Sequence, residues 1–272
     1  NIIQPDPPVD FVIVTALEEE RDAVLDKLPA YRKLAPSEDD VRVYFWSELP
    51  STLPNGSTAT YQLIVMPLLG MGRVQAATAT ADAIRLWRPR YVILVGVAGG
   101  VVTRGVKLGD ILISDQIVDY ELQKLTPAGP EIRWEVHRAD PRLTGAALNF
   151  STQDCQMLVK MKRPDVGESK RHIGPIASGD KVIAFGELLE KHRSTWPNLI
   201  GVEMEAAGAA TAAFQAANPP GFFMVRGVSD LADEEKGSDY VEGWRPYACD
   251  IAASYAIALL KNGPVPCRIR NS

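Results

Sequence analysis

The sequence predicts an α/β layered domain around a largely parallel or mixed β-sheet. Short β-branched runs alternate with helix-compatible segments along the chain, which is typical of α/β folds. The 272 residues are 46% hydrophobic and 23% charged, an ordinary globular composition. A chain of this length can form one large core, and we expect a single domain over residues 1–272, with tails at 1–9 and 264–272.

Each predicted element rests on its local residue pattern. Strands are predicted at short runs rich in β-branched and apolar residues, which are Phe11–Thr15, 41–46 (at an edge), 61–67, Tyr91–Gly100 (the most hydrophobic, hence central), 107–118, 199–202 and 222–228. Helices are predicted at 16–25, from the glycine loop 69–74 to Trp87, and at 143–149, 155–161, 185–192, 207–217 and 247–260. The segment 50–57 is predicted to be a turn-rich break, and 119–142 to be irregular.

Composition argues against several function classes. The net charge of −5 is unlike that of a general nucleic-acid surface. No apolar run reaches about 18 residues, the length of a membrane span, and the start lacks a signal-peptide pattern. Cys155, Cys249 and Cys267 lie far apart without C-x-x-C spacing, so we expect free thiols in a reducing, cytoplasmic compartment. The first residue is not Met, which fits a domain excised from a longer protein.

Two predicted strands end on carboxylates. Residues 199–202 run into Glu203 and Glu205, and residues 222–228 run into Ser229 and Asp230. Ligands bind at the carboxyl ends of the strands in open α/β sheets, and elements consecutive in sequence are usually neighbours in space. We therefore expect these side chains to form one acidic rim.

A third acidic group, Glu18–Glu20, follows the first strand. We favour an interaction with the helix dipole; the alternative is that one of these acids points into the site. Converging carboxylates suit glycosidic bond cleavage, in which an acid protonates the leaving group and a base activates water. Metal-assisted hydrolysis is less favoured because His137, His172 and His192 lie outside the acidic motifs. The sequence contains no Gly-x-Ser-x-Gly elbow, so it gives no indication of a serine nucleophile.

Two glycine-rich segments follow predicted strands. Gly70 and Gly72 would let the backbone approach a ligand at a helix N-terminus, although the third glycine of a dinucleotide fingerprint is missing. Gly99 and Gly100 either form a tight turn or admit a ligand, and the sequence favours neither interpretation.

Short motifs in chain order resemble the purine nucleoside phosphorylase/uridine phosphorylase superfamily, and within it most the methylthioadenosine/S-adenosylhomocysteine nucleosidases. They span residues 11–260 and are Ala16-Leu-Glu-Glu-Glu, Gly70-Met-Gly-Arg-Val, Gly96-Val-Ala-Gly-Gly, Leu108-Gly-Asp-Ile, Ser178-Gly-Asp, Val202-Glu-Met-Glu-Ala and Val225-Arg-Gly-Val-Ser-Asp. The resemblance implies a three-layer α/β/α sandwich with a central mixed β-sheet. It also implies cleavage of the N-glycosidic bond of a purine (adenine) nucleoside through an oxocarbenium-like transition state.

The resemblance also implies roles for individual residues. Asp230 would be the general acid that donates toward N7 of the base, Ser229 would orient it, and Glu20 would activate the attacking water. Glu205 would hold the ribose hydroxyls, with Met204 against the sugar. The other implied substrate contacts are Glu203, Val182, Ile183, Val97, Ala98, Gly99 and Arg226. The resemblance implies no metal or other cofactor. It implies a homodimer or higher homo-oligomer.

We expect hydrolysis rather than phosphorolysis. A phosphorylase must neutralise phosphate, usually with Arg and backbone donors, whereas glutamates follow the first strand here and Val97 replaces a hydroxyl residue. Because Arg21 and Arg73 remain as candidate anion ligands, a phosphate-dependent phosphorylase stays open, as does a catalytically silent nucleoside-binding domain. Val182 stands where the nucleosidases have an aromatic residue, so the substrate is left open between methylthioadenosine, adenosine and an adenine nucleotide.

Overall fold

The computed structural model describes residues 8–36, 38, 40–127, 129–180, 194–232 and 243–267. Among these residues the strands are β1 (Phe11–Thr15), β2 (Arg32–Lys33), β3 (Phe45–Thr52), β4 (Thr58–Pro67), β5 (Tyr91–Gly100), β6 (Ile111–Asp119), β7 (Gln123–Thr126), β8 (Gly129–Ile132), β9 (Glu135–Arg138), β10 (Arg171–Ser178), β11 (Gly201–Glu203) and β12 (Gly221–Leu231). The helices are α1 (Glu18–Asp26), α2 (Arg73–Trp87), α3 (Pro141–Leu148), α4 (Thr152–Gln156), α5 (Ala206–Phe214) and α6 (Arg245–Lys261). Val102–Arg104 forms a turn of 3-10 helix.

One mixed β-sheet organises the chain, in the order β11-β10-β6-β12-β5-β1-β4-β3-β2, with β9 beside β6. β5 pairs in parallel with β1 and with β12, whereas β12 pairs antiparallel with β6. At its end β5 also pairs antiparallel with β11, through Gly100 and Gly201. Strands β5, β12, β6, β10 and β11 therefore close into a ring, and the expected mixed sheet is confirmed.

Helices cover the sheet in two groups. α1 and α4 pack on α6, which lies against β5 and β12. α2 and α5 pack on each other, and both contact strands of the sheet. A strand covered on both faces has no solvent side, which is why β1 and β5 read as continuous apolar runs in the sequence. The three-layer α/β/α arrangement is confirmed.

Two edge segments differ from their predictions. The strand predicted at 41–46 lies instead at Phe45–Thr52, so it runs into the predicted break at 50–57. Among the described residues, β2 pairs with Phe45 and Trp46 and no strand lies along the outer edge of β3 at Pro50, where proline is tolerated. The segment 119–142 is not irregular but contains β7, β8 and β9, and β9 is held by pairing with β6.

The helix predicted at 155–161 is also misplaced. α4 begins at Thr152, where Ser151 caps it, and ends at Gln156. The chain then turns so that the N–H groups of Lys160 and Met161 donate to the Asp250 carboxylate. A long-range contact thus replaces the last helical turn. The helix predicted at 185–192 lies outside the described residues.

Close packing of α2 on α5 brings the glycine loop against the start of α5. A Cβ added at Gly208 would overlap the backbone carbonyl of Arg73. Only glycine lets the two helix backbones approach this closely. The loop before α2 and residues 203–208 are therefore fixed relative to each other, on the side of the sheet where the acidic rim lies.

Gly208→Ala should destabilise the fold. The new methyl group meets backbone atoms that cannot rotate away, so we expect the free energy of unfolding, measured by urea denaturation, to fall by about 1–3 kcal/mol. Gly145→Ala in α3 is the matched control, because its added Cβ meets no atom within 4 Å, and a gain of about 0.5–1 kcal/mol is expected. Equal effects at the two positions would contradict this close packing.

Candidate active site

The acidic rim lies where β1, β5, β11 and β12 end. β5 is the shared neighbour, since it pairs with β1, with β12 and, at its end, with β11. The topology thus brings together Glu20 after β1, Val97 on β5, Glu205 after β11 and Asp230 on β12. These residues are distant in sequence, and the sheet assembles them.

Glu20 is buried although it lies in the first turn of α1. Its Oε2 accepts hydrogen bonds from the N–H groups of Ala16 (2.7 Å) and Leu17 (3.0 Å), and its Oε1 accepts from Val97 (2.9 Å). Glu18 and Glu19 are exposed, as the helix-dipole interpretation requires. Glu20 also stabilises the start of α1, through the N–H of Leu17, but in addition it points into the rim, as the alternative proposed. Burial raises the pKa of Glu20, against the opposing effects of a nearby guanidinium and of the backbone donors.

The guanidinium of Arg226 lies among three carboxylates and is 1% exposed. Its Nη2 donates to Glu203 (2.5 Å) and Glu205 (3.1 Å), and its Nη1 lies 3.8 Å from Glu20 Oε1 and donates to the carbonyl of Val97. Burial alone would lower the pKa of Arg226, but the three carboxylates outweigh that effect and raise it. Arg226 therefore remains charged and balances part of the acidic charge.

Gly96 provides the space for this ion pair. It is the β5 partner of Arg226 in the parallel register. A Cβ at this position would overlap both the Glu20 carboxylate and the Arg226 guanidinium. The absence of a side chain at Gly96 thus lets residues from α1 and β12 meet over β5.

Glu203 and Glu205 flank the partly buried Met204 at the start of α5, and both are buried. Glu203 accepts hydrogen bonds from the N–H groups of Glu205 (2.9 Å) and Ala206 (2.9 and 3.1 Å). Glu205 Oε1 lies 3.4 Å from the N–H of Gly72, so the glycine loop borders the rim. Burial raises the pKa of Glu203; Arg226 opposes this shift and Glu205 reinforces it.

A β-bulge near the end of β12 sets the direction of Asp230. β12 pairs with β5 in register as far as Val228 and Ala98, and the next pair is Asp230 with Gly99, so Ser229 is the extra residue. Bulges redirect side chains and are frequent beside active sites. Ser229 Oγ donates to Asp230 Oδ2 at 3.1 Å, so the hydroxyl fixes the carboxyl group beside the end of β5.

The remaining candidate contacts lie along the end of β5 or outside the described residues. Val97 is partly buried, with its N–H bonded to Glu20 and its carbonyl to Arg226, and Ala98 is buried. Gly99 and Gly100 belong to β5 and pair with both β12 and β11, so they do not form a tight turn. Val182 and Ile183 lie outside the described residues.

Sequence reasoning missed a polar group beside the rim. Arg73 opens α2, where its N–H donates to Asp180 (2.7 Å) and its Nη1 to Asp119 (3.0 Å). The N–H of Asp180 in turn donates to Glu121 at 2.8 Å. Asp180 belongs to the Ser178-Gly-Asp motif, which is the signal that could have identified it. Nothing local marks Asp119, which ends β6 and meets Arg73 only in the fold.

In the part of the chain that the structure describes, no three His, Cys, Asp or Glu residues are grouped so as to hold a metal ion. Over the same residues, none of the helices combines the length and apolar character needed to cross a membrane. Cys155, Cys249 and Cys267 are free thiols, as expected.

Comparisons with known proteins agree with the resemblance. The family model of the phosphorylase superfamily matches residues 10–261. A death domain-containing ATP nucleosidase of Amphimedon queenslandica is 26% identical over 92% of this chain, which spans only 48% of that protein's length. A 5′-methylthioadenosine/S-adenosylhomocysteine nucleosidase of Lysinibacillus sphaericus is 31% identical over 68% of this chain and 77% of its own length.

Solved structures show the same fold. The 5′-methylthioadenosine/S-adenosylhomocysteine nucleosidase of Neisseria meningitidis in complex with methylthio-immucillin-A has a TM-score of 0.70 and 24% identity, over 93% of this chain and 98% of that one. The corresponding enzyme of Colwellia psychrerythraea in complex with adenine has a TM-score of 0.69 and 24% identity, over 93% and 95%. At this identity the likeness establishes the fold.

Arg226→Met should destabilise the protein in a pH-dependent way. It leaves three buried carboxylates without their cation, and we expect a loss of about 3–5 kcal/mol in the free energy of unfolding at neutral pH. Glu20 and Glu203 already have raised pKa values, and losing the guanidinium raises them further. A carboxyl with a higher pKa in the folded chain binds more protons when folded, so the loss should shrink as the pH falls.

Urea denaturation between pH 5 and pH 8 would measure this effect. Arg21→Met is the matched control, because Arg21 pairs with the exposed Glu18 and Asp22, and its loss should change stability by no more than about 1 kcal/mol. A pH-independent loss in Arg226→Met would contradict the charge arrangement of the rim.

Proposed function

The chain belongs to the phosphorylase superfamily, and we propose that it hydrolyses the N-glycosidic bond of a purine nucleoside and releases free adenine. The observation that carries this proposal is the placement of two carboxylates beside the end of β5. Glu20 accepts a hydrogen bond from the N–H of Val97, and Asp230 pairs with Gly99 in the same strand.

Two carboxyl groups beside one strand end suit direct attack by water, in which one protonates the leaving group and the other accepts a proton from the water. Asp230 donates a proton toward N7 of the base, the bond between C1′ and N9 breaks, and its electron pair leaves with the base. The water oxygen bonds to C1′ while Glu20 accepts its proton.

The remaining rim residues bind and orient the nucleoside in this proposal. Glu205 accepts hydrogen bonds from the ribose hydroxyls, and Met204 packs against the sugar. Ser229 keeps the Asp230 carboxyl group directed at the base. The raised pKa of Glu20 makes it a better proton acceptor, and the positive charge of Arg226 offsets part of the repulsion among the three acids.

The electrostatics of the rim support hydrolysis over phosphorolysis. A bound phosphate needs uncommitted cations, but the two arginines considered as anion ligands both pair with carboxylates. Arg21 pairs with Glu18 and Asp22, and Arg73 with Asp119. Arg226 is likewise surrounded by acids, so a phosphate would meet a net negative site.

The group at the 5′ position of the ribose is the open part of this proposal. The relatives compared above include nucleosidases named for ATP and for methylthioadenosine and S-adenosylhomocysteine. We propose that the base is adenine. ATP, methylthioadenosine and S-adenosylhomocysteine, which differ in the group at the 5′ position, are all candidate substrates. A panel of adenosine, methylthioadenosine, S-adenosylhomocysteine, inosine, AMP and ATP would distinguish them by the base that each releases.

We also propose that residues 1–272 form one domain, which is part of a longer protein. We propose further that this domain is located in the cytoplasm and forms a homodimer or larger homo-oligomer. The free thiols support a reducing compartment. Exposed apolar side chains around the packed α2 and α5 support self-association through a second copy; they are Leu69, Met71, Val74 and Phe214. Sedimentation of the purified chain would test the oligomeric state.

Asp230→Asn and Glu20→Gln should each reduce adenine release, measured by chromatography without phosphate, by about 10²–10⁴-fold. Asn cannot protonate the leaving base, and Gln cannot accept a proton from water. Glu18→Gln is the matched control for Glu20→Gln, because Glu18 lies in the same helical turn with its side chain 79% exposed, and it should retain parent activity. If Asp230→Asn releases adenine at the parent rate, Asp230 is not the acid. If the parent protein is thermally stabilised by nucleosides but releases no base, it is a binding domain.

A further inference from the structure

The carboxylate of Glu203 is fully occupied by the chain's own donors. Its oxygens accept from the N–H groups of Glu205 and Ala206, where α5 begins, and from Arg226. Ser178 also hydrogen-bonds to Glu203 through its side chain, and its Oγ accepts from the N–H of Ala207 at 2.9 Å. A carboxylate offers about four acceptor positions. Glu203 therefore has no position left for a substrate.

The Arg226 guanidinium lies closer to Glu203 than to the other acids. The distance to Glu203 is 2.5 Å, compared with 3.1 Å to Glu205 and 3.8 Å to Glu20. Glu203 is itself fixed by the positive end of α5. It thus connects the helix to the guanidinium, whereas Glu205 and Glu20 lie further from the cation.

We infer that Glu203 is a positioning residue, which holds Arg226 between Glu205 and Glu20 without touching the substrate. The inference rests on the proposed function, in which Glu205 binds the ribose and Glu20 accepts a proton. It reassigns Glu203 from the substrate contacts implied by the family resemblance. The alternative is that Glu203 only caps α5.

Loss of the Glu203 charge would disturb the two other carboxylates beside Arg226, Glu205 and Glu20. With its nearest anion removed, the guanidinium is attracted toward Glu205 and Glu20. Glu205 then binds ribose hydroxyls less well, and Glu20, paired more closely with a cation, becomes a weaker base. Among the residues that the structure describes, the charged or titratable groups that interact with Glu20 are Arg226, Glu205 and the Cys249 thiol. A capping defect alone would lower stability and leave these steps unchanged.

The test is Glu203→Gln, with Asp140→Asn as the matched control. Asp140 caps α3 through the N–H groups of Arg142 and Leu143 and lies beside the start of β12, at the opposite end of that strand from Asp230. Both variants should lower the melting temperature. Glu203→Gln should also reduce kcat/KM about 10–100-fold, as loss of supporting partners does at other sites, and shift the acid limb of the pH profile to lower pH. Asp140→Asn should retain the parent kcat/KM and pH profile.

Glu203→Asp keeps the charge and should recover part of the rate lost in Glu203→Gln. If Glu203→Gln behaves like Asp140→Asn, with lower stability but parent kinetics and pH profile, Glu203 is only a cap and the inference is overturned. A crystal structure of Glu203→Gln gives a readout that does not depend on turnover. Arg226 should move toward Glu205 or Glu20, and an unmoved guanidinium would also overturn the inference. Absence of base release by the parent protein would contradict the proposed function, while the position of Arg226 would still decide the role of Glu203.

Discussion

The site depends on one buried cation, the Arg226 guanidinium, which three carboxylates share. Taking charges out of water costs several kcal/mol per ion, and a buried pair offsets that cost only when its geometry and hydrogen bonds are good. Here the fold supplies both. Glu203 is held by the amides that begin α5, Glu20 by amides from the loop before α1 and from β5, and Gly96 leaves the volume in which they meet. Removing one partner of such a cluster is costly, whereas the complete cluster need not be more stable than apolar residues of similar volume.

The sheet topology gives each carboxylate a different environment. Glu20 is buried beside a cation and amide donors, and Asp230 lies further along β5 with a serine hydroxyl as its neighbour. The two carboxyl groups therefore have different surroundings although their chemical type is the same. The ring closed by β11 on β5 fixes Glu203 and Glu205 against the same strand end. Strand order, a bulge and a helix terminus thus bring the acids of the rim to one place.

Local sequence patterns predicted the buried parts of this fold and the rim well. β1 and β5 begin and end where their apolar runs do, and the acids after 199–202 and 222–228 marked the rim. The edge strand β3 was misplaced and β9 was not predicted, because pairing with a neighbour, rather than local pattern, determines them. The burial of Glu20, the bulge at Ser229 and the central place of Arg226 depend on contacts between strands distant in sequence. Periodicity carries no information about such contacts, and only the family resemblance singled out Glu20 from its two neighbours and assigned Arg226 to the site.

The attacking nucleophile distinguishes this account most directly from its phosphorylase alternative. The measurement is mass spectrometry of the sugar product after incubation with adenosine or methylthioadenosine in H₂¹⁸O, with and without phosphate. Hydrolysis should give free adenine and a sugar that carries ¹⁸O at C1, at a rate independent of phosphate. A sugar 1-phosphate without the label, formed only when phosphate is present, would contradict it.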